Sequence, residues 1–297
     1  PTKSASIQPI RQQIRSAGKA CIPGSSLKGA IRTALLGLYI EEDKDQRSYE
    51  HPNFLSNKWG KFSDGDLQAR HLGKDPNRDL FRLLQVGDAH FETSQCSLAK
   101  SINLQHRGAK FKDSIDQYVE CIPTGAEGSL RIRQHELLAD TVKRQKVKEI
   151  KFKGGKKVTQ EYELYPAQKL DDMRLEKLIF FTNQHTQILI ENELAWWENE
   201  SYPPEIGNYL EELEKLNEDL EALVESRSED RCILRLGWGT GFLNMTGGWQ
   251  ESKMGEKVYQ KLKLEVRRGK YGNMPLPKTR RMRYDGTPFG FVELNRQ

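Results

Sequence analysis

The sequence is poor in three features that would assign it to a familiar class: long apolar runs, paired cysteines and clustered histidines. No run of 18 apolar residues occurs, so no transmembrane helix and no membrane partner are expected. The four cysteines, at positions 21, 96, 121 and 232, form no C-x-x-C pair, and none has a histidine at zinc-finger spacing. We therefore expect four buried, reduced cysteines in a cytoplasmic protein, with no metal and no cofactor.

Signatures of catalysis are also missing from the sequence. It contains no G-x-S-x-G elbow, no H-E-x-x-H pair and no Gly-Lys-Ser/Thr of a Walker A loop. Asp64 and Asp66 lie in a polar stretch, and Asp88 follows a short apolar run. All three are interpreted as turn residues, which are more common in such positions than catalytic carboxylates. The sequence therefore predicts a protein that is not an enzyme.

What the chain does contain is charge, unevenly distributed over 297 residues. Apolar residues make up 36% and charged residues 30%, which is enough for a core, and the length suggests two domains. Residues 141–157 carry a net charge of +7 and residues 261–284 carry +8, whereas residues 205–230 carry −8. This segregation predicts a polyanion on the basic surfaces, although a single charge run is more often a solvated face.

Residue periodicity predicts several secondary-structure elements. Apolar residues at helical spacing follow a Pro-Gly turn and predict a helix over residues 26–41, with Ser25 or Ser26 as its N-cap. Residues 206–224 form an amphipathic helix with acidic flanks, and residues 147–164 form a hairpin with a basic tip. The further predictions are a helix over residues 170–197, strands at 114–122, 128–132, 232–236, 258–266 and 289–294, an irregular insertion at 43–78, and no helix at 243–248.

Three segments have the chemistry expected for binding phosphates and bases. A turn opening into a helix leaves backbone N–H groups free for an anion, with two cations one turn further on. Alternate glycines allow a ligand close to the backbone, beside aromatic rings that stack on bases. Clustered cations suit a sugar–phosphate strand. The predicted RNA-binding residues are Gly24, Ser25, Ser26, Lys28 and Arg32; Arg235, Gly237, Trp238, Gly239, Gly241 and Phe242; and Lys278, Arg280 and Arg281. A plain capped helix, a glycine turn and a solvated basic loop remain the alternatives.

These segments, in this order, resemble the RAMP superfamily of CRISPR-associated proteins. Residues 22–32 match its type III signature IPGSSLKGALR, and residues 237–242 match its glycine-rich loop near the C terminus. Residues 81–88, 118–123 and 277–292 further resemble the subfamily that caps the Csm filament. The chain begins with Pro1 and lacks both the family's opening strand and its TPVHIGSG-like segment. We therefore expect the first domain to be without that strand.

The resemblance implies an α+β fold of tandem ferredoxin-like, RRM-like domains with helical and loop insertions. Residues 1–168 are expected to form the N-terminal RAMP domain, and residues 169–297 a C-terminal one with a helical insertion and the glycine-rich loop. The implied function is non-catalytic capping of the crRNA 3′ end in a type III-A complex of the prokaryotic cytoplasm. The implied partners are crRNA, the adjacent RAMP backbone subunit, the small helical subunit, target RNA and recruited host nucleases.

Two other functions within the superfamily stay open at this stage. The chain could be a Cmr-type subunit or a Csm backbone subunit, for which the hairpin at residues 147–164 would serve as a thumb. It could also be a RAMP-fold endoribonuclease that processes crRNA with a histidine as general acid or base, for which His90 and His106 are the candidates.

Overall fold

The computed structural model describes residues 9–43, 65–91, 96–105, 110–111, 116–143, 146–153, 156–198, 202, 204–246 and 279–297. Its helices are α1 (Gly24–Glu42), α2 (Gly65–Leu72), α3 (Glu136–Lys143), α4 (Ala167–Asp171), α5 (Leu175–Glu198), α6 (Gly207–Glu225) and α7 (Gly241–Thr246). Short 3-10 turns lie at Pro76–Arg78, Leu80–Leu83, Pro204–Ile206 and Trp238–Thr240.

The strands are short, and every pair joined by named strands is antiparallel. They are β1 (Arg15–Ser16), β2 (Lys19–Ile22), β3 (Leu84–Val86), β4 (Ala89–Phe91), β5 (Ser97–Gln105), β6 (Lys110–Phe111), β7 (Gln117–Cys121), β8 (Gly128–Ser129), β9 (Ile132–Gln134), β10 (Lys146–Lys153), β11 (Lys156–Glu163), β12 (Arg231–Arg235), β13 (Thr279–Arg283) and β14 (Phe291–Asn295). Helices and antiparallel strands together give an α+β fold, as the resemblance implies.

Helix α1 forms because its apolar residues fall on one face. Leu27, Ile31 and Leu35 are at most 4% exposed, and burying each side chain contributes roughly 1.5–3 kcal/mol. Pro23, in an extended conformation, is the N-cap residue, and no side chain caps the helix. The prediction of a serine N-cap is therefore wrong, because Ser25 and Ser26 already lie inside the first turn.

The central sheet is built around β5, which pairs with three strands. Strand β13 lies on one side with Met282 opposite Ile102, and β7 lies on the other with Val119 opposite Ala99. Strand β6 pairs with the end of β5. Neither β5 nor β13 was predicted from the sequence. The predicted division at residue 168 stays a prediction, and the pairing of β5 with β13 crosses it.

Helix α5 is the hub of the helical layer, since it packs against α1, α6 and β12. Asn183, which is fully buried, joins this helix to the strand: its amide donates to the carbonyl of Arg231 and its oxygen accepts from the N–H of Ile233, each at 2.9 Å. One hydrophobic cluster fills the space between α5, α6 and the central sheet; it includes Ile102, Leu104, Ile190, Trp197, Leu213 and Met282.

Strands β10 and β11 form the predicted hairpin, with Lys146 opposite Glu163 and Lys153 opposite Lys156. Helices α1, α5 and α6 and strands β7, β12 and β14 also confirm their predictions to within a few residues. Three element predictions are wrong. The single strand predicted at residues 128–132 is two separate strands, β8 and β9, which pair with different partners. Helix α2 lies within the segment predicted to be irregular, and α7 lies where no helix was expected. The strand predicted at residues 258–266 lies outside the described residues.

Within the described part of the chain, no helix is long and apolar enough to cross a membrane. Nor do those residues include a group of three or more His, Cys, Asp or Glu side chains placed to hold a metal ion. Cys21 and Cys232 are buried, and burial raises the pKa of the Cys232 thiol to about 12. Cys96 and Cys121 are only half-buried, so the expectation of four buried cysteines is wrong for these two.

Candidate nucleic-acid interface

The start of α1 already has an anion of its own. The backbone N–H of Gly24 donates to the Asp88 carboxylate at 2.7 Å, so a protein carboxylate lies where a phosphate was predicted. A Cβ at position 24 would collide with the carbonyl oxygens of Val86 and Gly87, which explains why only glycine fits. Asp88 therefore fixes the strand-to-helix junction, in place of the local turn role expected for it.

Lys28 and Arg32 also contact their own chain. The Lys28 ammonium donates to the carbonyl of Leu84 at 2.7 Å, and burial lowers the pKa of this lysine. Arg32 forms an ion pair with Asp79 at 2.7 Å and lies over the Phe81 ring at 5.4 Å. Lys28 thus attaches α1 to the start of β3, and Arg32 attaches it to the segment before that strand. Ser25 and Ser26 are exposed.

The glycine-rich loop connects β12 to α7 and has backbone conformations that favour glycine. Gly237 and Gly241 have φ values of +98° and +82°, and a Cβ at either position would meet open space. Between them lies the turn Trp238–Thr240, closed by the Thr240 hydroxyl, which donates to the Gly237 carbonyl at 2.9 Å. The two glycines thus leave room beside the backbone for a ligand.

Trp238 holds two arginines that come from distant parts of the sequence. The guanidinium carbons of Arg11 and Arg281 lie 4.9 Å and 4.3 Å from the centre of its ring. Arg281 also donates to the Asn103 side-chain oxygen at 3.1 Å. Within the described residues, no carboxylate forms an ion pair with either guanidinium. Burial, and then the nearby charge of Arg11, lower the pKa of Arg281.

Arg11 reaches this position because its backbone extends the central sheet. Its N–H donates to the Tyr118 carbonyl at 3.0 Å, and its carbonyl accepts from the N–H of Glu120 at 2.8 Å. The sequence interpretation missed Arg11, which stands in a polar segment with no motif around it. Only the pairing of this segment with β7 shows that it belongs to the site.

The remaining predicted cations have other surroundings. Arg280 is 8% exposed, forms an ion pair with Glu193 at 2.7 Å and stacks on Trp196 at 3.3 Å. Arg235 donates to the carbonyl of Phe289 at 2.8 Å and lies 4.8 Å from the centre of the Phe291 ring. Lys278 lies outside the described residues, and Phe242 is placed only by its backbone in α7.

The helix start and the glycine loop are structural neighbours. Helix α1 lies against both β12 and α7. Leu27 of α1 and Leu234 of β12 belong to one hydrophobic cluster, together with Ile22, Phe91, Ile179 and Cys232. Two segments more than 200 positions apart in the sequence are therefore held together by a shared core.

Comparisons with known proteins agree with this fold. The RAMP superfamily model matches residues 4–244. A curated relative, "CRISPR system Cms protein Csm5" of Methanocaldococcus jannaschii, is 24% identical over 227 residues, which cover 76% of this chain and 46% of the relative. The chain thus spans about half the length of that relative.

Two solved structures share the fold. One is a chain of a type III-A Csm–crRNA–target RNA ternary complex determined by cryo-EM, with a TM-score of 0.66 and 22% identity; the match covers 98% of this chain and 76% of that one. The other is the crystal structure of T. onnurineus Csm5, with a TM-score of 0.52 and 20% identity, covering 96% and 73%.

Proposed function

Because this chain belongs to the RAMP superfamily, we propose that it is a non-catalytic, crRNA-binding subunit of a type III-A CRISPR effector complex, similar to Csm5. In this role it caps the stacked backbone subunits at the 3′ region of the guide and supports crRNA maturation and RNA-guided antiviral interference. Its partners are crRNA, the adjacent RAMP backbone subunit, the small helical subunit, target RNA and recruited nucleases. The complex acts in the prokaryotic cytoplasm.

The observation that carries the proposal is the pair of arginines held against Trp238. Two guanidinium groups lie over one ring, and no carboxylate among the described residues neutralises them. Holding the cations on an aromatic ring reduces the entropy that they lose on meeting phosphate oxygens. We assign Arg11 and Arg281 to phosphate binding and Trp238 to positioning both of them.

The surroundings of Trp238 suit a single RNA strand. Gly237 and Gly241 leave open space beside the backbone, so a sugar–phosphate chain can approach the loop closely. By contrast, Lys28 and Arg32 have partners within the chain. Their contribution to RNA binding, like that of Ser25 and Ser26, stays a prediction, and so does that of Lys278.

Salt-dependent RNA binding tests the proposal. Anisotropy titrations of a labelled single-stranded guide at several salt concentrations give the slope of log K against log salt. Each lost phosphate contact should lower that slope by roughly 0.7, so Arg11→Ala should bind more weakly and with a flatter salt dependence. Trp238→Ala should weaken binding with a smaller change of slope, because it frees both guanidinium groups without removing their charge.

A matched control removes one arginine elsewhere. Arg296 is exposed and paired with Glu176 at 2.7 Å, so Arg296→Ala lowers the net charge by the same amount without touching the site. Its affinity and slope should equal those of the unmodified protein. If Arg11→Ala and Arg281→Ala both leave the slope unchanged while remaining folded, RNA does not bind at this site.

The absence of catalysis is tested separately, against the endoribonuclease alternative. His90 is an exposed residue of β4, whereas His106 lies outside the described residues. The purified chain should leave repeat-containing RNA intact, with and without magnesium. If the unmodified chain cleaves the RNA, and His90→Ala or His106→Ala abolishes the cleavage, the chain is an endoribonuclease instead.

A further inference from the structure

One face of the central sheet is covered along only part of its length. Side chains at alternate positions of β5 lie on the same face of the sheet. On the face that contains Ile102 and Leu104, these two side chains are 6% and 1% exposed. They pack with Met282 against the apolar residues of α5 and α6. Leu98, on the same face nearer the start of β5, is 59% exposed. The helical layer therefore ends before the sheet does.

Two tyrosines surround the uncovered part. Tyr118 of β7 is directly opposite Lys100 and is 41% exposed. Tyr284, just after β13, is 69% exposed; its N–H donates to the Lys100 carbonyl at 2.9 Å, and its ring lies 5.1 Å from the Lys100 ammonium. Leu98, Lys100, Tyr118 and Tyr284 thus form one continuous surface across three strands, which we name the tyrosine patch.

Charges in and beside the tyrosine patch are paired within the chain. Lys100 forms an ion pair with Asp116 at 3.1 Å. Glu120, opposite Leu98, accepts from Arg15 and from the backbone N–H of Gln13. Among the described residues, the charges of this surface are therefore balanced. The two arginines at Trp238 differ in having no ion pair there, and they lie on the opposite face of the same sheet. A polyanion gains little from such a surface, whereas an apolar protein surface loses little charge solvation there.

We propose that the tyrosine patch docks the apolar face of a helix belonging to a neighbouring protein subunit. The inference rests on the proposed function, because it requires the multisubunit complex. Its basis is the rest of the sheet face, where the chain's own helices α5 and α6 cover the same kind of surface. Exposed tyrosine and leucine, beside charges that are paired among the described residues, also match the centre of a protein interface.

Placing charge in the tyrosine patch tests the proposal. The chain is co-expressed with the other subunits of its complex and the guide RNA, and copies per complex are counted by native mass spectrometry. Leu98→Asp combined with Tyr284→Asp should weaken retention in the complex by about tenfold or more. Both side chains are exposed, so the isolated variant should keep its melting temperature and its affinity for single-stranded RNA.

The matched control charges another exposed apolar residue. Ile188 of α5 is 38% exposed, and Ile188→Asp should be retained like the unmodified chain. A photocrosslinking residue at position 284 should then join the chain to a helical peptide of another subunit. Full retention of the double variant, a crosslink to RNA, or a crosslink between two copies of this chain would each overturn the proposal.

These outcomes can be separated from a failure of the proposed function. If that function is wrong, the unmodified chain itself binds no guide RNA and joins no complex. If only the docking inference is wrong, the unmodified chain does both, and the double variant does so equally well.

Discussion

At the scale of single residues, the three glycines of the loop are required for different reasons. Gly237 and Gly241 have positive φ values with open space around them, so a side chain there would strain the backbone without a collision. Gly239 is buried, and a Cβ on it would lie 2.6 Å from the Cβ of Phe289 and 2.7 Å from its ring. Its role is therefore to let Phe289 close over the loop.

Gly239→Ala should therefore destabilise the protein by about 1–3 kcal/mol, the usual cost of overpacking. The sequence alone placed Gly239 among the RNA-binding residues, where a bulkier side chain, as in Gly239→Val, would weaken RNA binding in a folded protein. With Phe289 in contact, loss of folding is now the expected result. Urea unfolding measures the change.

The control for this experiment is Gly29→Ala. Gly29 is an exposed residue of α1 with no atom near its Cβ position, so alanine there should stabilise the helix by about 0.5–1 kcal/mol. Equal stability of Gly239→Ala and the unmodified protein would show that Phe289 moves aside at no cost.

At the scale of elements, strand β13 divides its arginines between the two faces of the sheet. Arg281 points to Trp238, and Arg280 points to Glu193 and Trp196 under the helical layer. Alternation along a strand thus gives adjacent residues of the same type different roles. One belongs to the proposed RNA site, and the other is part of the core.

Arg280→Ala should cost about 3–5 kcal/mol of folding stability, because it leaves the buried carboxylate of Glu193 without its cationic partner and, among the described residues, with only the Trp197 N–H still donating to it. The side chains of this pair are 8% and 13% exposed. At equal folded fraction, RNA affinity should be unchanged. Chemical unfolding and anisotropy titration measure the two quantities.

Arg231→Ala is the control for the buried pair. Arg231 and Glu293 form an ion pair with side chains that are 37% and 41% exposed, so its loss should cost less than about 1 kcal/mol. Similar losses for the two variants would mean that burial adds nothing to the Arg280 pair. If folded Arg280→Ala binds RNA more weakly than the unmodified protein, Arg280 contributes to RNA binding as the sequence predicted.

Local periodicity explains which elements were predictable. Helices α1 and α6 and the β10–β11 hairpin have clear apolar spacing or turn residues. Strand β5 was missed because one of its faces buries Ser101 and Asn103, which removes the alternation that signals a strand. Helix α7 was missed because it begins at Gly241, in a glycine-rich segment whose sequence is typical of a simple turn.

Tertiary contacts explain which parts of the site were not predictable. Trp238, Gly237, Gly241 and Arg281 were predicted and lie in one place. Lys28 donates to Leu84, and Arg32 contacts Asp79 and Gln68. These partners are more than 35 positions away, so no local pattern shows that the two cations have internal contacts. Arg11 joins the site only through its pairing with β7.

At the scale of the whole molecule, buried histidines couple stability to pH. His185 is 6% exposed, its Nε2 has no partner among the described residues, and burial lowers its pKa to about 4. For His71, burial and then the charge of Lys169 lower the pKa to about 4. Both rings are therefore neutral in the folded protein at pH values where the unfolded chain is already protonated.

The contribution of these two histidines to the free energy of unfolding should consequently be fully present above pH 6.5 and be lost as the pH falls toward 4. The unfolded state binds more protons in this window, so each histidine removes about 1.4 kcal/mol per pH unit, or roughly 2 kcal/mol by pH 5. Urea midpoints between pH 7.5 and 5 measure the loss. His185→Gln should remove about half of it, and an unchanged midpoint at pH 5 would contradict the assignment.

The pairing of β5 with β13 also determines when the central sheet can form during synthesis of the chain. Gln105 of β5 lies opposite Thr279 of β13. Strand β5 can therefore pair with β13 only after more than 170 further residues have been translated. At elongation rates of about 5–20 residues per second this delay is roughly 9–35 s. During that interval the edge of β5 that later pairs with β13 is exposed and can pair with other chains. A chaperone that binds this edge on the nascent chain would prevent such pairing.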